Sequence, residues 1–217
     1  MQRTPAGPTA TETERIRRIY ERMAPGYDRQ LGFVEGLLFG DGRAWVCERA
    51  RGAVLEVAIG TGRNLPFYPA GVSLTGIDLS PAMLELARRR ADALGMIVEL
   101  RLADATRLPF DDASFDTVVS TLALCTIPDP SAAVAEARRV LRPGGRFLVL
   151  DHVRSPAWPV RLVQHILDPV LVRFAGDHLL REPLAWMRAA GLQVEELERS
   201  RWGLVERAAA RRAEVVG

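Results

Sequence analysis

The segment Val54 to Gly62, VLEVAIGTG, constrains the fold of this chain more than any other stretch. A short apolar run with β-branched residues has the length of a buried strand, and it ends in a turn containing Gly60 and Gly62. Glycines there let the backbone approach a ligand that a side chain would push away. Strand and helix signals then alternate. AVLEVA (53–58), SLTGID (73–78), IVELRLAD (97–104), FDTVVSTLAL (115–124) and RFLVLDHV (146–153) read as five strands. Between them, Ser80-Pro81 opens a helix that Gly95 ends, and a helix over about 131–141 stops at Arg142-Pro143-Gly144-Gly145. This alternation predicts an α/β fold: a Rossmann-like, seven-stranded, mostly parallel sheet with helices on both faces. LQVEELERS (192–200) and a strand near Trp202 to Glu206 complete it.

The flanking regions read differently. Residues 1–10 have the composition of a flexible tail. Thr11 and Glu14 form an expected capping box for a helix whose Ile16, Ile19, Tyr20 and Met23 share one face, stopped by Pro25-Gly26. A second helical stretch, about 33–50, carries Phe33, Val34, Leu37, Leu38, Trp45 and Val46 and is interrupted by Gly40-Asp41-Gly42. Residues 156–175 read as an irregular helical insertion broken near Pro159 and Pro169, and 182–190 as a helix closed by Gly191. With 217 residues and no internal repeat, residues 11–217 are expected to form a single domain. Its parts are a helical lid (11–50), a ligand-binding half (51–153) and an acceptor-side insertion with closing strands (154–217).

Composition excludes some partners. A net charge of +2 is too small to point to nucleic acid, although all 29 basic residues are arginine. Cys47 and Cys125 lack metal-ligand spacing, so neither a metal site nor a disulfide framework is expected. The N-terminus lacks a signal-peptide pattern, and no uncharged apolar run reaches about 18 residues. A cytoplasmic protein is expected, touching a membrane at most peripherally on its inner face. No motif sets an oligomeric state.

In an open parallel sheet, ligands bind beyond the carboxyl ends of the strands. Asp78 ends the second strand, where a carboxylate can take both hydroxyls of a ribose. Asp104 ends the third, within reach of the base of the same nucleoside. A dinucleotide fingerprint requires a third glycine where Leu65 stands, and a phosphate-binding loop requires a lysine that the chain lacks. Glu56, an acid inside the glycine motif, suits a ligand carrying an ammonium and a sulfonium rather than phosphates.

VLEVAIGTG, TGIDLSPAMLELAR, LADATRLPF, SFDTVVSTLAL and RVLRPGGRFLVLDHV resemble the successive motifs of class I S-adenosylmethionine-dependent methyltransferases, from about Tyr20 to the C-terminus. The chain resembles the branch with quinone-biosynthesis methyltransferases, bacterial phosphatidylethanolamine N-methyltransferases and membrane-associated thiol methyltransferases. YERMAPGYD is similar to that group's lid motif. The resemblance implies S-adenosyl-L-methionine as cofactor and S-adenosylhomocysteine as product. It places Glu56, Gly60 and Gly62 at the methionine end, Asp78 at the ribose, Leu79 beside the adenine, and Asp104 with Ala105 at the adenine amino group. Tyr27 would close over the methionine end, with Met83 and Leu122 lining the pocket. Ala58 stands where the family usually has its first glycine, a departure expected to tighten the loop.

Methyl transfer needs positioning and water exclusion, and a base only when the acceptor arrives protonated. His152, ending the fifth strand, is the candidate base, and Tyr27 a candidate orienting hydroxyl. His165 and His178 fall in the insertion; Cys125 is expected to be buried filler. QHILDP and FAGDHLLREPL resemble the matching region of the thiol and phospholipid enzymes. The acceptor is therefore expected to be a small-molecule or lipid compound, lipophilic or amphipathic, with a phospholipid ethanolamine headgroup leading. The alternatives are thiol S-methylation, quinone or natural-product C- or O-methylation, and a non-catalytic cofactor-binding protein. The first helix combines an apolar stripe with arginines, the pattern either of an interfacial helix in peripheral membrane contact or of a lid whose stripe packs on its own domain.

Overall fold

The computed structural model describes residues 10–214. Apart from Ala10, the tail expected over residues 1–10 lies outside the described residues. Seven strands form one sheet in the order β3-β2-β1-β4-β5-β7-β6. They are β1 (Ala53–Val57), β2 (Ser73–Asp78), β3 (Val98–Leu102), β4 (Phe115–Thr121), β5 (Leu141–His152), β6 (Leu192–Ser200) and β7 (Val205–Arg212). The first five pair in parallel, while β7 runs antiparallel to both β5 and β6. Strand order reverses between β1 and β4, so a crevice opens beyond their carboxyl ends, where open α/β sheets bind ligands.

The central strands are apolar on both faces because both faces are covered. Leu55, Val118, Phe147 and Val149 pack in one core with Val134 and Met187 from α5 (Pro130–Val140) and α7 (Pro183–Ala189). Their neighbours Val54, Val119, Leu148 and Leu150 face the other core, with Trp45 and Val46 from α3 (Gly42–Cys47) and Leu84 and Ala87 from α4 (Pro81–Ala93). Ser80 caps α4, its hydroxyl accepting from Met83 N at 3.3 Å, with Pro81 in the first turn.

Several expected boundaries change. α1 (Ala10–Met23) already contains Thr11, so Thr11 is not its cap, and the Glu14 carboxylate is engaged by Arg17 at 2.7 Å. Pro25-Gly26 makes only a short 3-10 turn before α2 (Tyr27–Phe39), which starts earlier than the apolar pattern suggested. The side chains of Phe33, Val34 and Leu37 lie outside the described ones. The region 156–175 is not broken: α6 (Trp158–Ala175) is continuous. Pro159 sits in its first turn, where no intrahelical N–H bond is lost. Pro169 costs one bond to the carbonyl of His165, an exposed residue that water can serve.

The closing strand is also displaced. Arg201, Trp202 and Gly203 all have positive φ and reverse the chain, so β7 begins at Val205. Its Ala208, Ala209 and Ala210 are fully buried between β5 and β6. Alanine prefers helix locally, but pairing on both edges and small-residue packing override that preference.

Candidate functional site

A cavity of about 840 Å³, counting its open mouth, lies beyond the carboxyl ends of β1, β2 and β4. The turn after β1 builds its floor. Ala58, Gly60 and Gly62 take positive φ of 54°, 57° and 75°, and Ile59 N donates to Ile77 O at 2.8 Å. A Cβ on Gly60 would meet only the Ala58 carbonyl, at 4.0 Å, so bare backbone borders the cavity. Gly62 does something else. A Cβ there would lie 2.9 Å from Leu65 Cδ1 and 3.2 Å from Ala87 Cα, so this glycine lets the turn press against α4.

Two buried carboxylates flank the turn. Glu56 accepts from Asn64 Nδ2 at 2.8 Å and from the Tyr68 hydroxyl at 3.0 Å. Asn64 is held in turn by Arg43, which donates to its Oδ1 at 2.7 Å. Burial pushes the Glu56 carboxyl up to about 7, against the opposing effects of Tyr68, Arg43 and Asn64. Asp78 accepts from Gly60 N and Ser80 N, each at 2.9 Å, so one carboxylate joins the glycine turn to the start of α4. Burial raises it to about 6, although the backbone donors favour its ionised form. Asp104 closes its own turn, its Oδ1 accepting from Thr106 N and Oγ1 at 2.8 Å.

The start of α2 is latched to this turn. Asp28, one residue after Tyr27, accepts from Thr61 Oγ1 at 2.7 Å and pairs with Arg90 on α4. Arg90 also donates to Thr61 O at 2.8 Å. Burial opposes ionisation of Asp28, but Thr61 and Arg90 outweigh it and hold the carboxyl below the usual range. Tyr27 is thereby set over the cavity, with the Tyr20 ring 6.1 Å away between centroids. Leu122, after β4, has a positive φ of 53°, uncommon for a bulky residue and held by its N–H bond to Leu150 O at 2.8 Å.

The structure brings Tyr27, Glu56, Ala58, Gly60, Asp78, Leu79, Met83, Asp104, Ala105 and Leu122 around one cavity; Gly62 does not border it. Nor does His152, which lines an adjoining cavity sharing Tyr20, Tyr27, Leu122 and Thr126 with the first. This second cavity is mainly apolar, walled by Met23, Leu38, Phe39, Val160 and Leu171. His152 Nε2 is 2.8 Å from Asp177 Oδ1, while its buried Nδ1 has no hydrogen-bond partner among the described residues. Burial works against a charged imidazole, yet Asp177 overcomes this and raises the His152 pKa. Neither His165 nor His178 lines either cavity.

The fold assembles Cys125, His152 and Asp177 with candidate ligand atoms within 4.8 Å of one another. Metal binding would require a thiolate. Burial and the carboxylates Asp151 and Asp177 push the Cys125 thiol well up instead, and His152 Nε2 is already engaged. The set is better suited to holding a proton than a metal.

Asn64, Tyr68, Arg43, Asp28, Arg90 and Asp177 escaped the sequence reading. Asp28 had a signal, since it ends the lid motif YERMAPGYD. Asp177 falls within the segment FAGDHLLREPL, but its pairing with His152, 25 residues away, had no signal.

The comparisons agree with this geometry. Residues 55–149 match the family model described as a methyltransferase domain. The chain is 38% identical over 158 residues to a phosphatidylethanolamine N-methyltransferase of Cereibacter sphaeroides, covering 72% of this chain and 77% of the relative. It is 34% identical over 169 residues to a demethylmenaquinone methyltransferase of Thermus thermophilus, covering 73% and 75%. In structure it resembles a geranyl diphosphate methyltransferase solved with GPP and sinefungin, with a TM-score of 0.72 at 20% identity over 93% of this chain and 100% of the other. Glycine turn, strand-end carboxylates and these relatives converge: the chain belongs to the class I S-adenosylmethionine-dependent methyltransferases.

Proposed function

We propose that the protein methylates a lipophilic or amphipathic acceptor, with the ethanolamine headgroup of a phospholipid as the leading candidate. The observation that carries this reading is the apolar second cavity, which meets the cofactor cavity at Tyr20, Tyr27, Leu122 and Thr126 and holds a His–Asp pair in its wall. The Cereibacter sphaeroides relative, named a phosphatidylethanolamine N-methyltransferase, supports it.

When bound, the cofactor supplies an electrophilic methyl group on a sulfonium sulfur and leaves as S-adenosylhomocysteine. Glu56 would face its ammonium, a role that would favour the ionised form of this buried carboxyl. Asp78 would take the ribose hydroxyls, and the Asp104 oxygen not used by Thr106 would take the adenine amino group. The side chains of Leu79, Met83 and Ala105 pack the remaining walls. A protonated amine cannot act as a nucleophile, so its proton must leave first. His152, in the wall of the apolar cavity, accepts that proton, and Asp177 stabilises the resulting imidazolium through its contact with Nε2. The freed nitrogen lone pair then forms the new N–C bond. Tyr20 and Tyr27 cover the junction and keep water from it.

The test is a labelled-methyl transfer assay with phosphatidylethanolamine in mixed micelles, small alkyl thiols and a demethylated quinol in parallel. Labelled N-methylated lipid is expected. Turnover of the thiol or quinol without that of the lipid would overturn the headgroup assignment. The quinol arm matters because the Thermus thermophilus relative is named for a quinone and the cavity's apolar walls suit such a ring.

A further inference from the structure

Of the two readings of the first helix, the structure shows the packed one: α1 turns Ile16 and Ile19 inward, where they are buried. The unpartnered apolar surface lies on α6. Only Gln164 is fully buried on this 18-residue helix. Its amide is the fastening: Oε1 accepts from Ser155 N, and Nε2 donates to Val153 O and Leu179 O, all at 2.9 Å. Asp168 adds a bond from Leu179 N at 2.7 Å. The opposite side leaves Trp158 69%, Ile166 65% and Phe174 70% exposed, with Leu162 and Val170 more than half exposed between them. Trp202, 78% exposed, stands beside the start of the helix, because its carbonyl accepts from Ser155 Oγ at 2.6 Å. Patches of this kind mark a binding surface.

We infer that this face of α6, with Trp202, docks on the surface of a bilayer containing anionic lipids. Three observations favour a bilayer over a protein partner. Tryptophan at one end and phenylalanine at the other suit the boundary between headgroups and acyl chains. Arg173 on α6 and Arg201 beside Trp202 are exposed within the apolar surface, where they meet anionic headgroups. Val163 and Leu167 are exposed and also line the acceptor cavity, so the cavity opens onto this same face. No helix among the described residues is long and apolar enough to cross a membrane, so α6 lies in the interface plane. This inference rests on the lipophilic-acceptor reading only for its purpose; the docking stands or falls by itself.

The experiment is flotation of the full chain with vesicles of phosphatidylcholine alone or with phosphatidylglycerol, alongside sedimentation velocity without lipid. The anionic vesicles should carry the protein, and the neutral ones less. Ile166→Glu, at an exposed position outside both cavities, should weaken this binding about tenfold or more while cofactor affinity is kept. Failure to float with anionic vesicles, or flotation unchanged by Ile166→Glu, would overturn the inference. So would a concentration-dependent dimer that Ile166→Glu dissolves in a protein that ignores vesicles; the face would then be a self-interface. A protein that floats yet transfers no methyl to phosphatidylethanolamine keeps its docking surface and loses the headgroup assignment.

Discussion

Around β1 and β2, each buried carboxylate is held by two donors from the segments that follow these strands: Asn64 and Tyr68 on Glu56, Gly60 and Ser80 on Asp78. Along α6 the arrangement is reversed. One amide, one carboxylate and the Arg15 guanidinium, which donates to Val172 O and Arg173 O, fasten eighteen residues, and most of the apolar side chains face outward. The first region is preorganised for one ligand, and changing any partner disturbs several bonds. The second is attached at few points, so it can present an apolar face and vary without disturbing the core. On the proposed function, one fold thus pairs a fixed donor site with an adaptable acceptor side, the division expected where strand ends hold the cofactor and appended helices select the acceptor.

This contrast can be broken by substitution. On the acceptor side, His152→Ala should lower kcat by about 10²–10⁴-fold with an amine acceptor while leaving cofactor affinity nearly unchanged. Single-turnover kinetics and calorimetry check the two halves, and a loss of cofactor binding would show that the regions are not separable. On the cofactor side the split should invert. Asp78→Ala strips partners from two backbone N–H groups, Gly60 and the buried Ser80, and from the ribose, so cofactor affinity should fall about a hundredfold. A change of less than threefold would remove Asp78 from the binding set.

The pH dependence sharpens the comparison further. With Glu56 raised to about 7, the protein holds this proton at mildly acid pH, whereas the cationic cofactor needs the carboxylate. Affinity should therefore rise with pH through that value and level off above it, by about tenfold between pH 6 and pH 8. Glu56→Gln should give a weaker, flatter profile in titration calorimetry. Asp177→Asn acts on the other side. Removing the carboxylate lowers the His152 pKa, so the acid limb of kcat moves to lower pH while the plateau falls about tenfold, as for a base with a lost orienting partner.

The smallest effect belongs to Ala58. Its φ of 54° lies in the left-handed region, where a methyl group costs about 1 kcal/mol that glycine avoids. Ala58→Gly should raise thermal stability slightly and change cofactor affinity no more than severalfold. The turn that the sequence marks as unusual is thus built without distortion elsewhere: Ile59 and Gly60 keep their bonds to Ile77 and Asp78.

How much of this was legible in the chain follows from the range of each interaction. β1, β2, β4 and α4 announced themselves, because buried strands are apolar on both faces and Ser80-Pro81 and Gly95 punctuate a helix locally. The ends of β7 and the continuity of α6 did not. The alanines of β7 gain strand structure only from pairing with β5 and β6, and a proline inside a helix looks like a break until its exposed position is known. The acidic strand ends were visible as Glu56, Asp78 and Asp104. Their support was less so: Arg43, Asn64 and Tyr68 converge on Glu56 from an earlier helix and a later turn.

What the sequence determined by itself was the donor: a glycine turn with an internal acid, followed by two strand-end aspartates at local spacing, names S-adenosylmethionine. Tertiary structure decided what the proposed acceptor would meet. His152 and Asp177 come together only when the chain after α6 folds back over β5, and the second cavity exists only where α1, α2 and α6 close around them. Tertiary structure also moved the apolar surface from α1 to α6. An amphipathic pattern records that a helix has two faces; which one meets water is set by the packing that buries Ile16 and Ile19 and leaves Ile166 and Phe174 outside.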